Sequence, residues 1–330
     1  MVTRIGIVGF GWVARDYMWP AILAHPGAEL RAVVSVRPED FAGLPEEVAC
    51  YDSVPTMLAG TPLDAVYVAS PNHLHREHAV ACLRAGLDVL CEKPLARDPG
   101  EAAAMCAAAG ESNRKLVTAY DQRHHPAHVV MREWIAAGRL GTITQARIDY
   151  ACWVPAGWST DNWRVDPERA GGGAVIDLAP HGLDLLETLL DDEIEALHCF
   201  TQRAVHEYAV DDGGVLSARF ACGAVAAITV GYNRPEVLPR RRLEITGTRG
   251  MLLAENTMGQ VGGGSLRFLS AEAEAEAEVL TFADTGPFYG LLDAFLQHTT
   301  GGCAEPRDAL SDQRLVRLLH RTTQTTQPWP

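Results

Sequence analysis

The sequence lacks three features that would each have pointed to a particular class of protein. Its 28 Lys and Arg residues are outnumbered by 42 Asp and Glu residues, and the net charge of −14 argues against DNA, RNA and anionic membrane surfaces as partners. Its eight cysteines include no C-x-x-C pair with a histidine nearby, which argues against a zinc site and predicts scattered buried thiols in a reducing compartment. No apolar run reaches about 18 residues, and glycines interrupt the N-terminal apolar stretch, so we expect a soluble, cytoplasmic protein with no membrane segment.

What the sequence does contain is ordinary globular composition over a length typical of about two domains. In residues 3–120, short β-branched apolar runs alternate with amphipathic Ala/Leu-rich stretches, a pattern typical of a parallel sheet covered by helices on both faces. Residues 1–121 are therefore predicted to form an α/β domain with a doubly wound, Rossmann-type parallel sheet. Its predicted strands are 4–8, 30–35, 65–69, 88–91 and 116–119, with helices at 73–85, closed by Gly86, and 99–109, opened by Asp98 and closed by Gly110.

Residues 122–330 have a different sequence pattern, in which Thr/Val/Ile-rich runs are separated by turn residues. This pattern predicts an α+β domain built on an open, largely antiparallel sheet, with the last helices packing back on the first domain. The predicted strands are 143–152, 198–204, 215–220, 224–230, 241–246 and 266–269, with helices at 179–190 and 289–299. The Ala-Glu repeat at 271–278 is interpreted as a solvated surface segment.

The first strand leads directly into Gly9-Phe-Gly11-Trp-Val-Ala14, the glycine pattern that lets a helix N-terminus approach a pyrophosphate. The second strand usually ends in an acid that accepts a hydrogen bond from the ribose 2′-OH of NAD. Here Ser35 stands at that place and Arg37 follows, which removes repulsion toward a 2′-phosphate and supplies a cation for it. NADP is therefore favoured over NAD, although Arg37 could also stack on adenine or face solvent while NAD binds.

Two further clusters carry side chains suited to proton transfer. Lys93 follows the fifth predicted strand, and ligands bind at the carboxyl ends of strands in doubly wound sheets. Asp177 and His181 follow a triple glycine at the i, i+4 spacing that places two side chains on one helical face. A histidine that exchanges a proton beside a carboxylate suits acid–base catalysis, whereas one His and one Asp are too few ligands for a metal site.

Five motifs, in their order and spacing, resemble the Gfo/Idh/MocA oxidoreductases, the family of glucose-fructose oxidoreductase and inositol dehydrogenase. They are Gly9 to Ala14, Ser70-Pro-Asn-His-Leu-His75, Glu92-Lys-Pro94, Trp163-Arg164, and Gly171-Gly-Gly with Asp177 and His181. The resemblance continues through Glu244-Ile-Thr-Gly-Thr-Arg-Gly250 and covers nearly the whole chain.

The resemblance implies reversible oxidation of a ring hydroxyl on a sugar, aminosugar or cyclitol, and a homodimer or homotetramer formed through the second sheet. It implies that Lys93 stabilises charge on the reacting oxygen, and that His181, paired with Asp177, takes the hydroxyl proton while hydride moves to nicotinamide C4. His181 favours a carbohydrate substrate, because the dihydrodiol dehydrogenase-like branch carries Tyr at this position. Asp121 departs from the Asn of many relatives.

The candidate site residues fall into three groups. The cofactor-binding candidates are Gly9, Phe10, Gly11, Trp12, Val13, Ser35, Arg37, Ser70, Pro71, Asn72, His75, Glu92, Lys93 and Asp121, and His75 could instead cap the helix that follows. The substrate-binding candidates are Lys93, Tyr120, Gln122, Arg123, Trp153, Trp158, Trp163, Arg164, Asp177 and His181, since aromatic faces suit sugar rings. The catalytic candidates are Lys93, Asp177 and His181, with no metal.

Three functions remain open at this point: a carbohydrate dehydrogenase or ketoreductase, a dihydrodiol- or biliverdin-type reductase, and a nucleotide-sensing regulator without chemistry. Retention of Lys93, Asp177 and His181 together favours the first, since a sensor needs none of them. Residues 1–121 carry a net charge of −5 and residues 122–330 a net charge of −9. An acidic substrate domain points to a cationic, amino-bearing sugar, as in aminoglycoside or other secondary-metabolite biosynthesis, although solubility alone also explains the excess.

Overall fold

The computed structural model describes residues 2–154, 162–272, 276–299 and 309–324. The chain divides into two compact units. One consists of Met1–Ala119 with Phe288–Arg317, and the other consists of Tyr120–Pro287 with Leu318–Pro330.

The strands of the first unit are β1 (Thr3–Val8), β2 (Ala28–Val34), β3 (Ala49–Tyr51), β4 (Ala65–Val68), β5 (Asp88–Cys91) and β6 (Leu116–Thr118). Among the described residues they form one parallel sheet in the order β3-β2-β1-β4-β5-β6. The predicted Rossmann-type sheet is confirmed. The sequence pattern missed β3, because a three-residue edge strand is too short to show a period.

Successive residues of these strands face opposite layers of helices. The helices of this unit are α1 (Trp19–Ala24), preceded by a π-helical turn at Ala14–Met18, then α2 (Val54–Gly60), α3 (Asn72–Arg84), α4 (Pro99–Ser112) and α8 (Pro287–Thr299). Ile7, Val33 and Tyr67 pack with residues of α1 and α8, whereas Val8 and Val34 pack with residues of α2, α3 and α4. Burial on both faces explains why these strands are apolar throughout.

The ends of α4 show one prediction that holds and one that is wrong. Asp98 Oδ1 accepts hydrogen bonds from the amides of Gly100 (2.7 Å) and Glu101 (3.0 Å), so it caps the helix as predicted. Gly110 does not close the helix, which continues to Ser112 and ends at Asn113 with φ 51°. The alanine-rich sequence propagates the helix through a glycine that costs only about 1 kcal/mol.

The strands of the second unit are β7 (Ile143–Ala151), β8 (Ile194–Gln202), β9 (Gly213–Phe220), β10 (Val225–Gly231), β11 (Arg241–Gly247), β12 (Gly250–Glu255), β13 (Ser265–Ser270) and β14 (Glu278–Val279). In the described part of the chain they form one open sheet in the order β14-β13-β12-β11-β7-β10-β9-β8. The neighbours β7 and β10 run parallel, and the other pairs are antiparallel. The predicted open, largely antiparallel sheet is confirmed, although β12 and the two-residue β14 had not been predicted.

The helix α7 (Ala174–Leu190) packs on one face of this sheet, and α5 (Pro126–Ala136) packs against α7. The other helices are the short α6 (Pro167–Ala170) and the last helix of the chain, α9 (Ala309–Gln324). Gly182 lets α7 approach the sheet closely, since a Cβ there would lie 3.2 Å from Ile148 of β7 and 3.7 Å from Ile228 of β10. Some strand residues of this sheet carry exposed apolar side chains. Phe200 of β8 is 82% exposed, and its cross-strand neighbour Val215 of β9 is 50% exposed.

Several composition-based expectations can be compared with the structure. The seven described cysteines are all free thiols, but Cys50 and Cys222 are exposed, so the prediction of burial is wrong for these two. The described ends of the Ala-Glu repeat are exposed. Among the helices that the structure describes, none combines the length and the apolar character needed to cross a membrane.

Candidate active site

The glycine loop after β1 lies where the strand order of the first sheet reverses. Gly9 has φ +90°, and a Cβ there would lie 2.6 Å from Ser70 N, so only glycine fits. A Cβ on Gly11 would meet no atom within 4 Å, so the space above it is open. Phe10 is 1% exposed, whereas Trp12 is 44% exposed. The loop therefore fits a dinucleotide pyrophosphate, to which the buried Phe10 can present only its backbone.

The end of β2 carries a small polar cluster that includes an acid the sequence analysis missed. Ser35 Oγ donates a 2.5 Å hydrogen bond to Asp40 Oδ2. Arg37 pairs with the same carboxylate, through Nε at 3.1 Å and through a terminal nitrogen at 2.9 Å. The Asp40 side chain is 6% exposed and that of Arg37 57%. Asp40 is thus engaged by Ser35 and Arg37, while the guanidinium keeps an accessible surface.

A buried histidine lies within hydrogen-bond distance of the loop after β4. His75 is 1% exposed, and its ring nitrogens lie 2.8 Å from the Ser70 carbonyl and 3.0 Å from the Pro94 carbonyl. Burial lowers the pKa of His75 to about 4, so the ring is neutral and its single N–H can donate to one carbonyl at a time. His75 lies inside α3 and does not cap it, so the capping alternative is wrong. Ser70, Asn72 and His75 are all buried, which limits the contacts they can offer a ligand.

Glu92 and Lys93 follow β5 at the carboxyl edge of the first sheet. Tyr67 donates a 2.5 Å hydrogen bond to Glu92 Oε1, and the Lys93 amide donates to Glu92 Oε2 at 3.2 Å. The peptide bond between Lys93 and Pro94 is cis, and the Lys93 side chain is half-buried. Lys93 therefore stands on a loop held by a neighbouring carboxylate, at the edge of the sheet where ligands bind.

In the second unit, a buried acid fixes the start of α7. Asp211 Oδ1 accepts from the Gly173 amide at 2.9 Å, and Oδ2 accepts from the Val175 amide at 2.8 Å. A Cβ on Gly173 would lie 2.0 Å from the Asp211 carbonyl oxygen, which explains why glycine is required there. Asp177 and His181 therefore project from a helix with a fixed N-terminus.

Asp177 pairs with a tyrosine that the sequence analysis did not select. Tyr232 Oη donates a 2.7 Å hydrogen bond to Asp177 Oδ2. Burial, and then the Asp177 charge, raise the pKa of Tyr232, so the phenol stays protonated and remains a donor. Arg164 opposes this rise, which places its guanidinium within electrostatic range, and the same group lies 4.4 Å from the centre of the Trp163 ring. The structure thus brings together Trp163, Arg164 and Asp177, all predicted, with Tyr232.

His181 faces a different carboxylate. Its Nδ1 lies 3.1 Å from Asp121 Oδ1, and both side chains are 3% exposed. The His181 and Tyr150 rings are perpendicular neighbours, with the centroids 5.5 Å apart and the planes at 88°. Asp121, predicted among the cofactor-binding residues, therefore belongs to the second unit and lies against His181.

Other predicted substrate-binding residues are occupied with structural contacts. Arg123 makes a two-point ion pair with Asp184, with Nε donating to Oδ2 at 2.7 Å, and the two side chains are 9% and 0% exposed. Arg123 also lies over the ring of the buried Tyr120, 5.3 Å from its centre. Gln122 is fully buried and donates to Asp121 Oδ2 and to the Gly259 carbonyl. The structure does not bring these three side chains to an accessible surface.

Trp153 is 37% exposed and lies beside the His206 ring. Trp158 lies outside the described residues. No cluster of three His, Cys, Asp or Glu side chains suited to a metal ion occurs in the ranges that the structure covers.

Tyr150 and Tyr232 share a position that the sequence pattern alone does not reveal. Each stands at the carboxyl end of its strand, Tyr150 within β7 and Tyr232 directly after β10. Because β7 and β10 are parallel neighbours, the ends of both strands meet at the same edge of the sheet, next to α7. Only the strand order reveals this, since parallel neighbours far apart in the chain cannot be paired from sequence pattern alone.

Comparison with known proteins places both units in one family. Residues 3–120 match the model of an oxidoreductase family with an NAD-binding Rossmann fold, and residues 128–253 match the GFO/IDH/MocA C-terminal domain. The chain is 34% identical to a 1,5-anhydro-D-fructose reductase of Ensifer adhaerens over 279 residues, which cover 83% of this chain and 82% of that protein.

Two solved structures show the same fold over nearly their whole length. One is the 3-ketoreductase KijD10 of Actinomadura kijaniata in complex with NADP and TDP-benzene, with a TM-score of 0.84, 24% identity, and coverage of 99% of this chain and 98% of that one. The other is a levoglucosan dehydrogenase in complex with NADH and levoglucosan, with a TM-score of 0.85, 22% identity, and coverage of 98% and 97%. The family matches and the 34% identical relative show that this chain belongs to the GFO/IDH/MocA oxidoreductases and carries an NAD-binding Rossmann domain.

Proposed function

We propose that this protein is an NADP-preferring oxidoreductase that interconverts a ring hydroxyl and a ketone on a sugar, aminosugar or cyclitol. The observation that carries the proposal is the arrangement on α7, where the buried His181 contacts one carboxylate and Asp177, one turn earlier, accepts a hydrogen bond from Tyr232. An imidazole held against a carboxylate is suited to moving a hydroxyl proton. The relatives named above act on carbohydrates or their derivatives, which supports the substrate class.

Each group has a distinct role in this reaction. In the oxidation direction, His181 takes the proton of the substrate hydroxyl, and in the reduction direction it returns that proton. Asp177, held in place by Tyr232, orients the substrate by accepting hydrogen bonds from its hydroxyls. Lys93, at the end of β5, stabilises negative charge on the reacting oxygen through its ammonium group. Trp163 and Arg164 bind the faces and edges of the ring.

The cofactor preference rests on the end of β2. When bound, a nicotinamide cofactor supplies the hydride acceptor or donor. The glycine loop would hold its pyrophosphate, and the exposed guanidinium of Arg37, next to Ser35, would hold a ribose 2′-phosphate. Because the nearby carboxylate of Asp40 already accepts from Ser35 and Arg37, it is poorly placed to accept a 2′-OH. The accessible guanidinium of Arg37 suits a phosphate.

The proposal also includes the kind of sugar that binds and the association of several copies of the chain. The net charge of −9 over residues 122–330 supports an amino-bearing sugar, of the kind used in secondary-metabolite biosynthesis. Phe200 and Val215 are cross-strand neighbours and both are exposed, which supports association of two or four copies through this face of the sheet.

The experiment is a spectrophotometric screen of sugars, amino sugars and cyclitols for reduction of NADP⁺, run in parallel on two catalytic variants. Lys93→Ala and His181→Gln should each lower kcat by about 10²-fold or more on the best substrate, with cofactor affinity unchanged. The matched controls are Lys115→Ala, which removes the other lysine of the chain, and His198→Gln, because both of these side chains are exposed. Wild-type turnover by either catalytic variant would remove that residue from the mechanism. Full turnover by both would overturn the proposed function.

A further inference from the structure

The carboxylate beside His181 comes from outside its own helix. Asp121 belongs to a short 3₁₀ turn at Asp121–His124, directly after Tyr120, and its side chain is as deeply buried as that of His181. One carboxylate oxygen, Oδ2, accepts from Gln122 Nε2 at 3.0 Å, and the other, Oδ1, lies 3.1 Å from His181 Nδ1. The distance between Nδ1 and Oδ1 is short enough for an ion pair, but the two groups are not oriented for a hydrogen bond. Catalytic contacts of this kind commonly tighten when substrate binds.

The carboxylates on the helix of His181 are engaged elsewhere. Asp177 accepts from Tyr232, Asp184 is paired with Arg123, and Glu187 accepts from the Ile194 amide. Asp121 is therefore the carboxylate that the structure places directly against the imidazole.

Three titratable groups around this pair, Tyr150, His125 and His128, are neutral, and the positive charge of Arg241 acts on Tyr150. Burial raises the pKa of Tyr150, whose ring meets the ring of His181 from β7, so its phenol stays protonated. Burial also lowers the pKa of His125, and it lowers that of His128 to about 3, and the charge of Asp121 acts on both. Neither of these two histidines therefore supplies a positive charge at neutral pH, and the charge of Asp121 acts on His181.

A carboxylate and an amide would act differently at this place. An ionised carboxylate only accepts hydrogen bonds, so it favours the tautomer of His181 that carries its proton on Nδ1 and leaves Nε2 able to accept a proton. The amide of an asparagine can either accept from Nδ1 or donate to it, and donation would move the ring proton to Nε2 and block the base.

We propose that Asp121 is a positioning residue, which keeps the proton of His181 on Nδ1 and balances the positive charge of the imidazolium that forms when Nε2 takes the substrate proton. The inference rests on the proposed function and deepens it. The proton moves from the substrate oxygen to Nε2, and no proton is transferred to Asp121.

The test is the Asp121→Asn variant, which keeps the shape of the side chain and removes its charge. We expect kcat to fall by about 10²- to 10⁴-fold, while KM and the Kd for NADPH stay close to wild type. A purely structural role would instead lower the thermal midpoint or change KM and Kd. The matched control is Asp191→Asn, at an exposed position after α7, which should leave kcat unchanged.

A spectroscopic measurement tests the same inference without turnover. ¹⁵N-labelled histidine distinguishes the two ring tautomers, and the His181 signals are identified by their loss in His181→Gln. Wild type should show the Nδ1–H form, and Asp121→Asn should show an increased Nε2–H population. The inference is overturned if wild type shows the Nε2–H form, or if Asp121→Asn keeps wild-type kcat. It would fail alone, with the proposed function intact, if His181→Gln is inactive while Asp121→Asn turns over normally.

Discussion

The buried ion pair between Arg123 and Asp184 indicates that Arg123 stabilises the fold and does not bind substrate, and this can be tested by mutation. The perturbation is Arg123→Met, which keeps much of the length of the side chain and removes the charge that faces a carboxylate with 0% exposure. Breaking a buried pair by removing one partner costs about 3–5 kcal/mol, because the remaining charge stays buried without compensation. For a unit of this size, the loss corresponds to a thermal midpoint lower by about 10 °C.

The assay is thermal unfolding followed by circular dichroism, with steady-state kinetics on the same preparation. The double variant Arg123→Met/Asp184→Leu should recover most of the lost stability, because two apolar side chains replace a buried pair at little net cost. Arg15→Ala serves as the control, since it breaks an exposed pair whose side chains are each 47% exposed and should shift stability by less than about 0.5 kcal/mol. An unchanged midpoint with a raised KM in Arg123→Met would refute this reasoning and restore the substrate-binding role predicted from sequence.

Three further predictions test the cofactor preference, the exposed face of the second sheet and the acid sensitivity of the fold. Arg37→Gln should weaken NADPH about 10- to 100-fold in a fluorescence titration and leave NADH nearly unchanged, because one charge-assisted contact to phosphate is lost; equal weakening of both would argue against a phosphate contact. Phe200→Asp should lower the molar mass measured by light scattering, whereas Val237→Asp, at a position 91% exposed, should not; an unchanged mass would exclude this face as the interface. Burial lowers the pKa of His75 to about 4, so the unfolded chain binds the proton first, and stability should fall by about 3 kcal/mol as pH drops from about 6.5 to 4. Thermal melts should show a shallower decline in His75→Gln, and an identical decline in both proteins would contradict this account.

A site residue could be predicted from sequence when its role depends on neighbouring residues, and could not when it depends on a residue far along the chain. Gly9 could be read from sequence because a turn between a strand and a helix is a local structure, and its φ of +90° fits that prediction. Arg123 could not, because its partner Asp184 lies on a helix far along the chain. The role of Gly110 could not be predicted from sequence, because a glycine inside an alanine-rich helix has the same sequence pattern as a glycine that ends one.

The sequence by itself determined the two kinds of sheet, the nucleotide loop and the presence of Lys93, Asp177 and His181 at positions suited to chemistry, because periodicity and turn residues act over a few neighbours. Only the tertiary structure decided which charges meet. Helical spacing put Asp177 next to His181, yet Asp177 turns to Tyr232 and the imidazole faces Asp121. A buried charge or imidazole must find a partner, and packing between distant segments determines which partner is within reach.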